Sequence, residues 1–402
     1  MSKASLISST EHPSPALDLP RVAIVCDLLQ ENWPSMDLVG DMLLSHLREG
    51  HASSFAVARL RPSYARHLVR IARGPVKFAD TAERALNRFV RYPQWLSRQR
   101  EKFDLFHIVD HSYAHLVHRL PLQRTVVTCH DTDAFRCLLE AGRSLSLRVR
   151  RSITMRLLSG LQMAAAVICD SGATADELLV HGWAQPEKIS VVNLGISAVY
   201  SPEADLAADQ EVERLLGGTA GRTNILHVGS TIPRKRIDVL LQVFAEIKKE
   251  SPQVMLLRVG GPLTSGQQNL ARQLGVESSI LVLPFLTDRQ LAAIYRKSML
   301  LLLPSEREGF GLPLLEAMAC GLPVIASDIP ALREVGGQAA LYSPFGDIQS
   351  LSRHAVNLIR VADTQPESMQ PHREACLKQA RQFSWHRCAR ETAAVYEKIL
   401  KI

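Results

Sequence analysis

Short, continuous apolar runs recur twelve times along the chain, and stretches with helical spacing separate them. In the first half the runs occupy residues 22–26, 55–60, 106–109, 126–129, 165–169 and 189–192; in the second, 225–228, 255–259, 280–283, 300–303, 323–326 and 340–342. A strand with one wet face alternates apolar and polar residues, whereas an unbroken run suits a strand covered on both faces, as in a parallel sheet between helices. The intervening segments supply such helices. Ile237, Leu240, Leu241, Phe244 and Ile247 fall at i, i+3, i+4, i+7 and i+10 and form one apolar stripe. Strand and helix repeated on this scale predict a doubly wound α/β fold.

The 402 residues exceed what one hydrophobic core usually organises, so two domains are expected. The break is legible at 197–223, where Ser201-Pro202, an acidic polar stretch, Gly217-Gly218 and Gly221 occur with no strand-like run. This divides the chain into a Rossmann-like domain at 21–200, a linker at 201–222 and a second Rossmann-like domain at 223–382. Residues 1–20 are rich in Ser and Pro and lack a continuous apolar core, which reads as a disordered tail rather than a signal peptide. The most hydrophobic run, 299–303, is far shorter than the ~18–20 residues of a membrane span. Seven dispersed cysteines, none at metal-ligand spacing, suit buried reduced thiols in a cytoplasmic protein.

Two constellations in the second half carry chemistry. In Val228-Gly229-Ser230-Thr231-Ile232-Pro233-Arg234-Lys235-Arg236 a strand ends, a loop turns, and a helix starts near Ile237. Ligands of parallel sheets bind beyond the carboxyl ends of the strands, and three successive cations there suit a diphosphate. The second constellation runs from Pro304-Ser305-Glu306-Arg307-Glu308 through Gly309-Phe310-Gly311-Leu312-Pro313 to Glu316. Gly309 and Gly311 bracket a turn, and Pro313 fits the first turn of a helix whose open N–H groups favour a phosphate. Glu308 before the helix and Glu316 one turn inside it can each accept hydrogen bonds from hydroxyls, one on either side of that phosphate. A sugar, a diphosphate and a ribose lie in this order in a nucleotide sugar.

Glu308 and Glu316, framed as EGFGLPLLEAMACGLPVIASD, resemble the E-x7-E signature of family 4 retaining glycosyltransferases of the GT-B fold. Gly229 with Pro233-Arg234-Lys235 resembles the phosphate loop of that family, Asn193-Leu194-Gly195-Ile196 its turn before the interdomain linker, and Phe383-Ser384-Trp385 the start of its closing helix, here 383–402, which returns to the first domain. The resemblance implies two Rossmann-like domains facing a central cleft. It implies that Glu308 holds donor sugar hydroxyls beside the backbone of 309–311, that the Leu312 N–H meets a phosphate, that Glu316 holds the ribose, and that Arg234 and Lys235 neutralise the diphosphate. Two positions depart from the pattern. Ser230 stands where many members carry Arg, and the first loop, Gln30-Glu31-Asn32-Trp33-Pro34-Ser35-Met36-Asp37, lacks the usual glycine pair, so Trp33 is the candidate there for the acceptor side.

In the first half, His130 and Asp131 follow the run 126–129 and face the ligand side of the sheet; His130 resembles the family's histidine near the donor sugar. Asp110 and His111 follow the run 106–109 and are candidates for the acceptor side. Asp131-Thr132-Asp133 spells D-x-D, but without the single-domain context in which that motif holds Mn²⁺, so no metal and no cofactor is expected. Between 59 and 102, twelve Arg and Lys face only Asp80, Glu83 and Glu101, in a chain of net charge +7. With Leu68, Ile71, Val76, Phe78, Phe89, Tyr92, Trp95 and Leu96 interleaved, this segment suits peripheral contact with an anionic membrane. No nucleic-acid motif accompanies the charge. Val25-Cys26-Asp27-Leu28-Leu29 carries no glycine fingerprint, which argues against a nicotinamide dehydrogenase.

The expected activity is retaining transfer of a hexosyl group from a nucleotide diphosphate sugar, of GDP-mannose or UDP-hexose type, to a glycan, lipid-linked or small-molecule acceptor. The alternatives are an epimerase or phosphorylase of the same fold and a non-catalytic sugar-nucleotide-binding protein.

Overall fold

The structure is a computed structural model that describes residues 19–66, 76–142, 144–217 and 222–401. Most of the tail, together with Leu68, Arg70, Ile71, Arg73, Gly218 and Gly221, lies outside the described residues, as do the side chains of Val76, Lys77 and Phe78.

All twelve apolar runs coincide with strands: β1 (Arg21–Val25), β2 (Ala56–Leu60), β3 (Leu105–Ile108), β4 (Thr125–Cys129), β5 (Ala166–Cys169), β6 (Ile189–Val191), β7 (Asn224–Val228), β8 (Met255–Val259), β9 (Ile280–Val282), β10 (Leu300–Leu303), β11 (Val324–Ser327) and β12 (Leu341–Ser343). They form two six-stranded sheets, ordered β2-β1-β3-β4-β5-β6 and β12-β11-β10-β7-β8-β9. Every pairing is parallel. Most of the strands are buried along their whole length, which is why they read as unbroken runs.

The chain divides into two compact units, Met1–Gly195 with Trp385–Ile402, and Ile196–Ser384. Counted from its own first strand, the second sheet has the 3-2-1-4-5-6 order of the Rossmann fold. Its order reverses between β7 and β10, so the crevice beyond the ends of those two strands is the expected ligand position. In the first unit the order reverses between β1 and β3. The stripe foreseen on the helix Ile237–Glu250 is buried against β7, β8 and β10, where each such side chain contributes about 1.5–3 kcal/mol relative to exposure.

The stretch expected to be a linker differs. A helix occupies Leu206–Leu216, capped by the Asp205 carboxylate on the Ala208 N–H, with Ala208, Val212 and Leu216 buried at i, i+4 and i+8. Its acidic face made the segment look solvated, yet those acids pair with the helix Asp288–Arg296 and the lysine after it: Asp205 with Arg289 at 2.6 Å, Asp209 with Arg296 at 2.8 Å, Glu213 with Lys297 at 2.7 Å. The helix therefore belongs to the second unit, whose boundary falls earlier, between Gly195 and Ile196. The last helix, Trp385–Leu400, belongs to the first unit, where the Tyr396 hydroxyl lies 2.6 Å from His107 Nδ1. All seven thiols are buried and unpaired. Among the described residues no helix is long and apolar enough to cross a membrane.

Candidate active site

Beyond β7 the chain passes Gly229 and exposed Ser230, makes a 3-10 turn over Pro233–Lys235, and enters the next helix through Arg236 in the left-handed region at φ 47°. Beyond β10 it passes buried Ser305 and reaches Gly311, the residue preceding the helix Leu312–Ala319. Gly311 sits at φ +104°, and a Cβ there would fall 2.6 Å from Leu332, so glycine fixes both the turn and its packing. A backbone bond from Glu306 N to Arg234 O, 2.8 Å, ties the two loops together.

The loops meet at Glu308. Its carboxylate accepts from Lys235 Nζ at 2.7 and 2.9 Å, from Arg234 Nη1 at 3.0 Å and from Ser305 Oγ at 2.7 Å. Burial acts to raise the Glu308 pKa, but Lys235 and Arg234 outweigh it and hold the group below the usual carboxylate range. The two expected phosphate cations thus pair with the expected sugar-binding carboxylate. The third cation of the run does not join them: Arg236 pairs with Asp238 at 2.7 Å and stacks on Phe345.

Glu316 lies one turn into the helix, buried, and accepts from the Tyr295 hydroxyl at 2.7 Å. Burial pushes its pKa up to about 7, against the hydrogen bond from Tyr295. Gly309 and Phe310 are buried, and the Phe310 ring packs edge-on against Phe383 with centroids 5.8 Å apart, so residue 310 presents backbone rather than side chain to the turn. Ser305 and Tyr295 were not foreseen. Ser305 stood three residues before Glu308 in the same motif; Tyr295 comes from another helix and left no local signal.

In the first unit, His130 Nδ1 lies 2.5 Å from Asp170 Oδ2, and Nε2 donates to the Val109 carbonyl at 2.6 Å. Burial alone would lower its pKa, but Asp170 dominates and raises it to about 10, so the ring is an imidazolium with both nitrogens engaged inside its own unit. It is a held cation here, not an open base. Asp110 caps the following turn, accepting from the Ser112 N–H at 2.8 Å, and lies 3.3 Å from His111 Nδ1. His111 Nε2 is 3.8 Å from Asp131, whose Oδ1 accepts from the Asp133 N–H at 3.0 Å. The structure therefore gathers Asp110, His111, His130 and Asp131 at the carboxyl ends of β3 and β4. Asp27, at the end of β1, joins them: it is buried beside Asp110, and burial followed by the Asp110 charge raises its pKa well above normal. Trp33 stands apart, 57% exposed before the helix Pro34–Gly50. Among the described residues His46, Glu49 and His386 bring three metal-ligating atoms within 4.8 Å of one another.

The basic segment is less open than its composition implied. Arg59, Arg61, Arg84, Arg88, Arg91 and Arg100 pair with Asp41, Asp37, Asp80, Glu31, Glu83 and Glu101. Asp41, Asp37 and Glu31 lie outside 59–102 and offset part of its surplus. Tyr92 and Leu96 are core residues.

Comparison with known proteins places these features. Residues 217–382 match the model of glycosyl transferases group 1, and residues 40–199 that of glycosyltransferase family 4. The O-antigen chain mannosyltransferase B of Escherichia coli is 30% identical over 291 residues, covering 70% of this chain and 72% of that protein. The D-inositol 3-phosphate glycosyltransferase of Streptomyces bingchenggensis is 30% identical over 250 residues, 59% of this chain and 54% of that protein, so the chain spans about half of the latter's length. Among solved structures, sucrose-phosphate synthase of Thermosynechococcus elongatus superposes with a TM-score of 0.70 at 18% identity, covering 95% of this chain and 99% of that one. Anabaena HepE in complex with UDP and glucose does so at 0.64 and 17%, covering 94% and 99%. WaaG, a glycosyltransferase of lipopolysaccharide biosynthesis, gives 0.64 and 17%, covering 93% and 99%. Two parallel six-stranded sheets, the E-x7-E loop and both family matches lead to one conclusion: the chain belongs to the family 4, group 1 glycosyltransferases, sugar-transferring enzymes of the GT-B fold.

Proposed function

We propose that this glycosyltransferase transfers a hexosyl group, with retention of configuration and without a metal, from a nucleotide diphosphate sugar to a glycan or lipid-linked acceptor. The observation that carries the reading is the convergence of Lys235, Arg234 and Ser305 on Glu308 beyond β7 and β10, next to the start of the helix Leu312–Ala319. A donor entering there brings its diphosphate to Lys235, Arg234, the Ser230 backbone and the helix N-terminus at Gly311 and Leu312. Its sugar hydroxyls replace the cations on Glu308, beside the backbone of Gly229 and 309–311, and its ribose hydroxyls reach Glu316.

Transfer then follows a front-face course. The bond from C1 to the diphosphate oxygen breaks, the acceptor oxygen forms its bond to C1 on the same face, and its proton passes to the leaving diphosphate. Lys235 and Arg234 stabilise the charge developing on that group, which is the task a divalent ion performs elsewhere. The mannosyltransferase relative favours a GDP-mannose type of donor, and UDP-glucose is the second candidate on the strength of HepE. His130 enters as a fixed positive charge, with Asp110, His111, Asp131 and Trp33 on the acceptor side. The exposed cations of 59–102 supply a contact with an anionic surface.

Calorimetric titration with a panel of nucleotide sugars, followed by turnover with the tightest donor in the presence of a strong chelator and determination of the product anomer, tests the reading. Binding of no nucleotide sugar would overturn it. Loss of turnover to the chelator with rescue by Mn²⁺, or an inverted product, would overturn the mechanism.

A further inference from the structure

Arg258 lies within β8, in register with His227 of β7, and is fully buried. Its Nη1 donates to the carbonyl of Gly229 and to that of Val259. Nε and Nη2 have no acceptor, and among the described residues no carboxylate pairs with the guanidinium. His227 beside it is equally buried, has no partner at either ring nitrogen among the described residues, and is kept neutral by burial and by the charges of Arg258 and Lys235. Burial lowers the Arg258 pKa only to about 10, so the charge persists at neutral pH. A buried, uncompensated cation therefore lies directly under the phosphate loop. With no carboxylate of the fold beside it, it is a cost, because a desolvated charge is tolerated cheaply only when an opposite charge answers it.

The contact with Gly229 has a geometric consequence. In a trans peptide the carbonyl and the following N–H point in opposite directions. Drawing the Gly229 oxygen inward to Arg258 turns the Ser230 N–H outward, beyond the carboxyl end of β7, where it meets no acceptor among the described residues. The approach is close enough to dictate the neighbouring residue: a Cβ at Gly260 would fall 2.1 Å from the Gly229 oxygen, and Gly260 sits at φ +117°.

We propose that Arg258 is a positioning residue for the donor diphosphate, holding the Gly229 carbonyl so that the Ser230 N–H faces the phosphates, and supplying from below a positive charge that only a bound anion answers. This rests on the reading of 229–235 as the diphosphate site. It makes Arg258 a group that destabilises the empty protein and strengthens the loaded one.

Arg258→Met and Arg258→Lys test it, with GDP, UDP and inorganic pyrophosphate as probes in calorimetry and with thermal unfolding of the unliganded proteins. In Arg258→Met the unliganded protein should melt at or above the wild-type temperature. Its affinity for the tighter-binding nucleoside diphosphate and for pyrophosphate should fall at least tenfold, while affinity for the corresponding nucleoside stays within twofold. Arg258→Lys, which keeps the charge but loses the forked contact, should recover part of the loss. Unchanged diphosphate binding in Arg258→Met overturns the proposal while leaving the donor site standing. A lowered melting temperature together with equal losses for nucleoside and diphosphate overturns it in favour of a scaffold role. Wild-type protein that binds none of the three probes overturns the donor site and this proposal together.

Discussion

Lys235 Nζ reaches both oxygens of Glu308, at 2.7 and 2.9 Å, with the two side chains only 10% and 7% exposed. A nearly dry ion pair of this kind is held by mutual compensation, and removing one partner strands the other. In the proposed donor site a phosphate therefore competes with Glu308 for Lys235, and sugar hydroxyls compete with Lys235 for Glu308.

Glu308→Gln should separate these two roles. With the carboxylate gone, Lys235 and Arg234 lose their counter-charge, so the unliganded protein should melt lower, at a cost of about 3–5 kcal/mol typical of a broken buried pair. Nucleoside diphosphate should bind as tightly as in wild type or several-fold tighter, and should raise the melting temperature by more than it does in wild type. Turnover should fall by about 10²–10³, the usual range for losing one preorganised polar group. Weaker diphosphate binding in the variant would contradict this account.

With Glu316 in the proposed ribose site, nucleotide binding is expected to be pH-dependent. Its pKa is raised in the folded protein to about 7, so the stability it contributes is fully present below its unfolded value and is lost as pH rises through 7. Ribose hydroxyls donating to the carboxylate favour its charged form. Binding should therefore release a proton near neutrality and tighten between pH 6 and 8. Calorimetry in two buffers of different ionisation enthalpy measures the release directly. Glu316→Gln should abolish it, and Glu316→Ala should cost about 1.5–3 kcal/mol of nucleoside diphosphate affinity. No proton release in wild type would remove Glu316 from the ribose site.

The strands and the cation–carboxylate loops were readable because each rests on local sequence. A doubly covered strand is a continuous apolar run, and a ligand loop follows its end. What escaped depends on pairing between distant elements. His130 and Asp170 are forty positions apart, yet each follows the last residue of a strand, and Cys129 pairs with Cys169 in the register of β4 and β5. Once that pairing is known the ion pair follows; before it, Asp170 is one acid among many. The helix Leu206–Leu216 hid behind acids whose partners lie about eighty residues on. Arg258 did leave a mark, a charge inside the run Met-Leu-Leu-Arg-Val, but its meaning needed the Gly229 carbonyl beside it.

The His130–Asp170 pair should shape stability above neutral pH. The folded pKa of His130 is raised to about 10, so its contribution is complete below about 6.5 and is lost as pH climbs through 10, at up to ~1.4 kcal/mol per pH unit. Asp170→Asn removes the charge that holds the proton. Melting temperatures measured from pH 6 to 9.5 should decline more steeply in wild type than in the variant. Parallel curves would mean that the imidazolium is not formed. Because the ring stays protonated across this range, the pH–rate profile should also show no ionisation near 6.5 from His130.

Contact with an anionic surface, finally, must use cations that the fold leaves available. Arg88 is bound to Glu31 and to the Ser112 carbonyl, and Arg91 to Glu83, so replacing either disturbs the first unit itself. Arg66, Arg98 and Lys102 are exposed and stand outside the six ion pairs formed among the described residues of the segment. Each cation near an anionic leaflet contributes about 1 kcal/mol, and the attraction decays within about 8–10 Å at physiological salt. Replacing these three with Gln should therefore weaken co-sedimentation with anionic liposomes by one to two orders of magnitude at low salt. It should flatten the salt dependence and leave nucleoside diphosphate binding, whose proposed site is in the other unit, unchanged. Wild-type protein that sediments equally with neutral and anionic vesicles, or with neither, would return 59–102 to an ordinary solvated surface and point to an acceptor that is not membrane-borne.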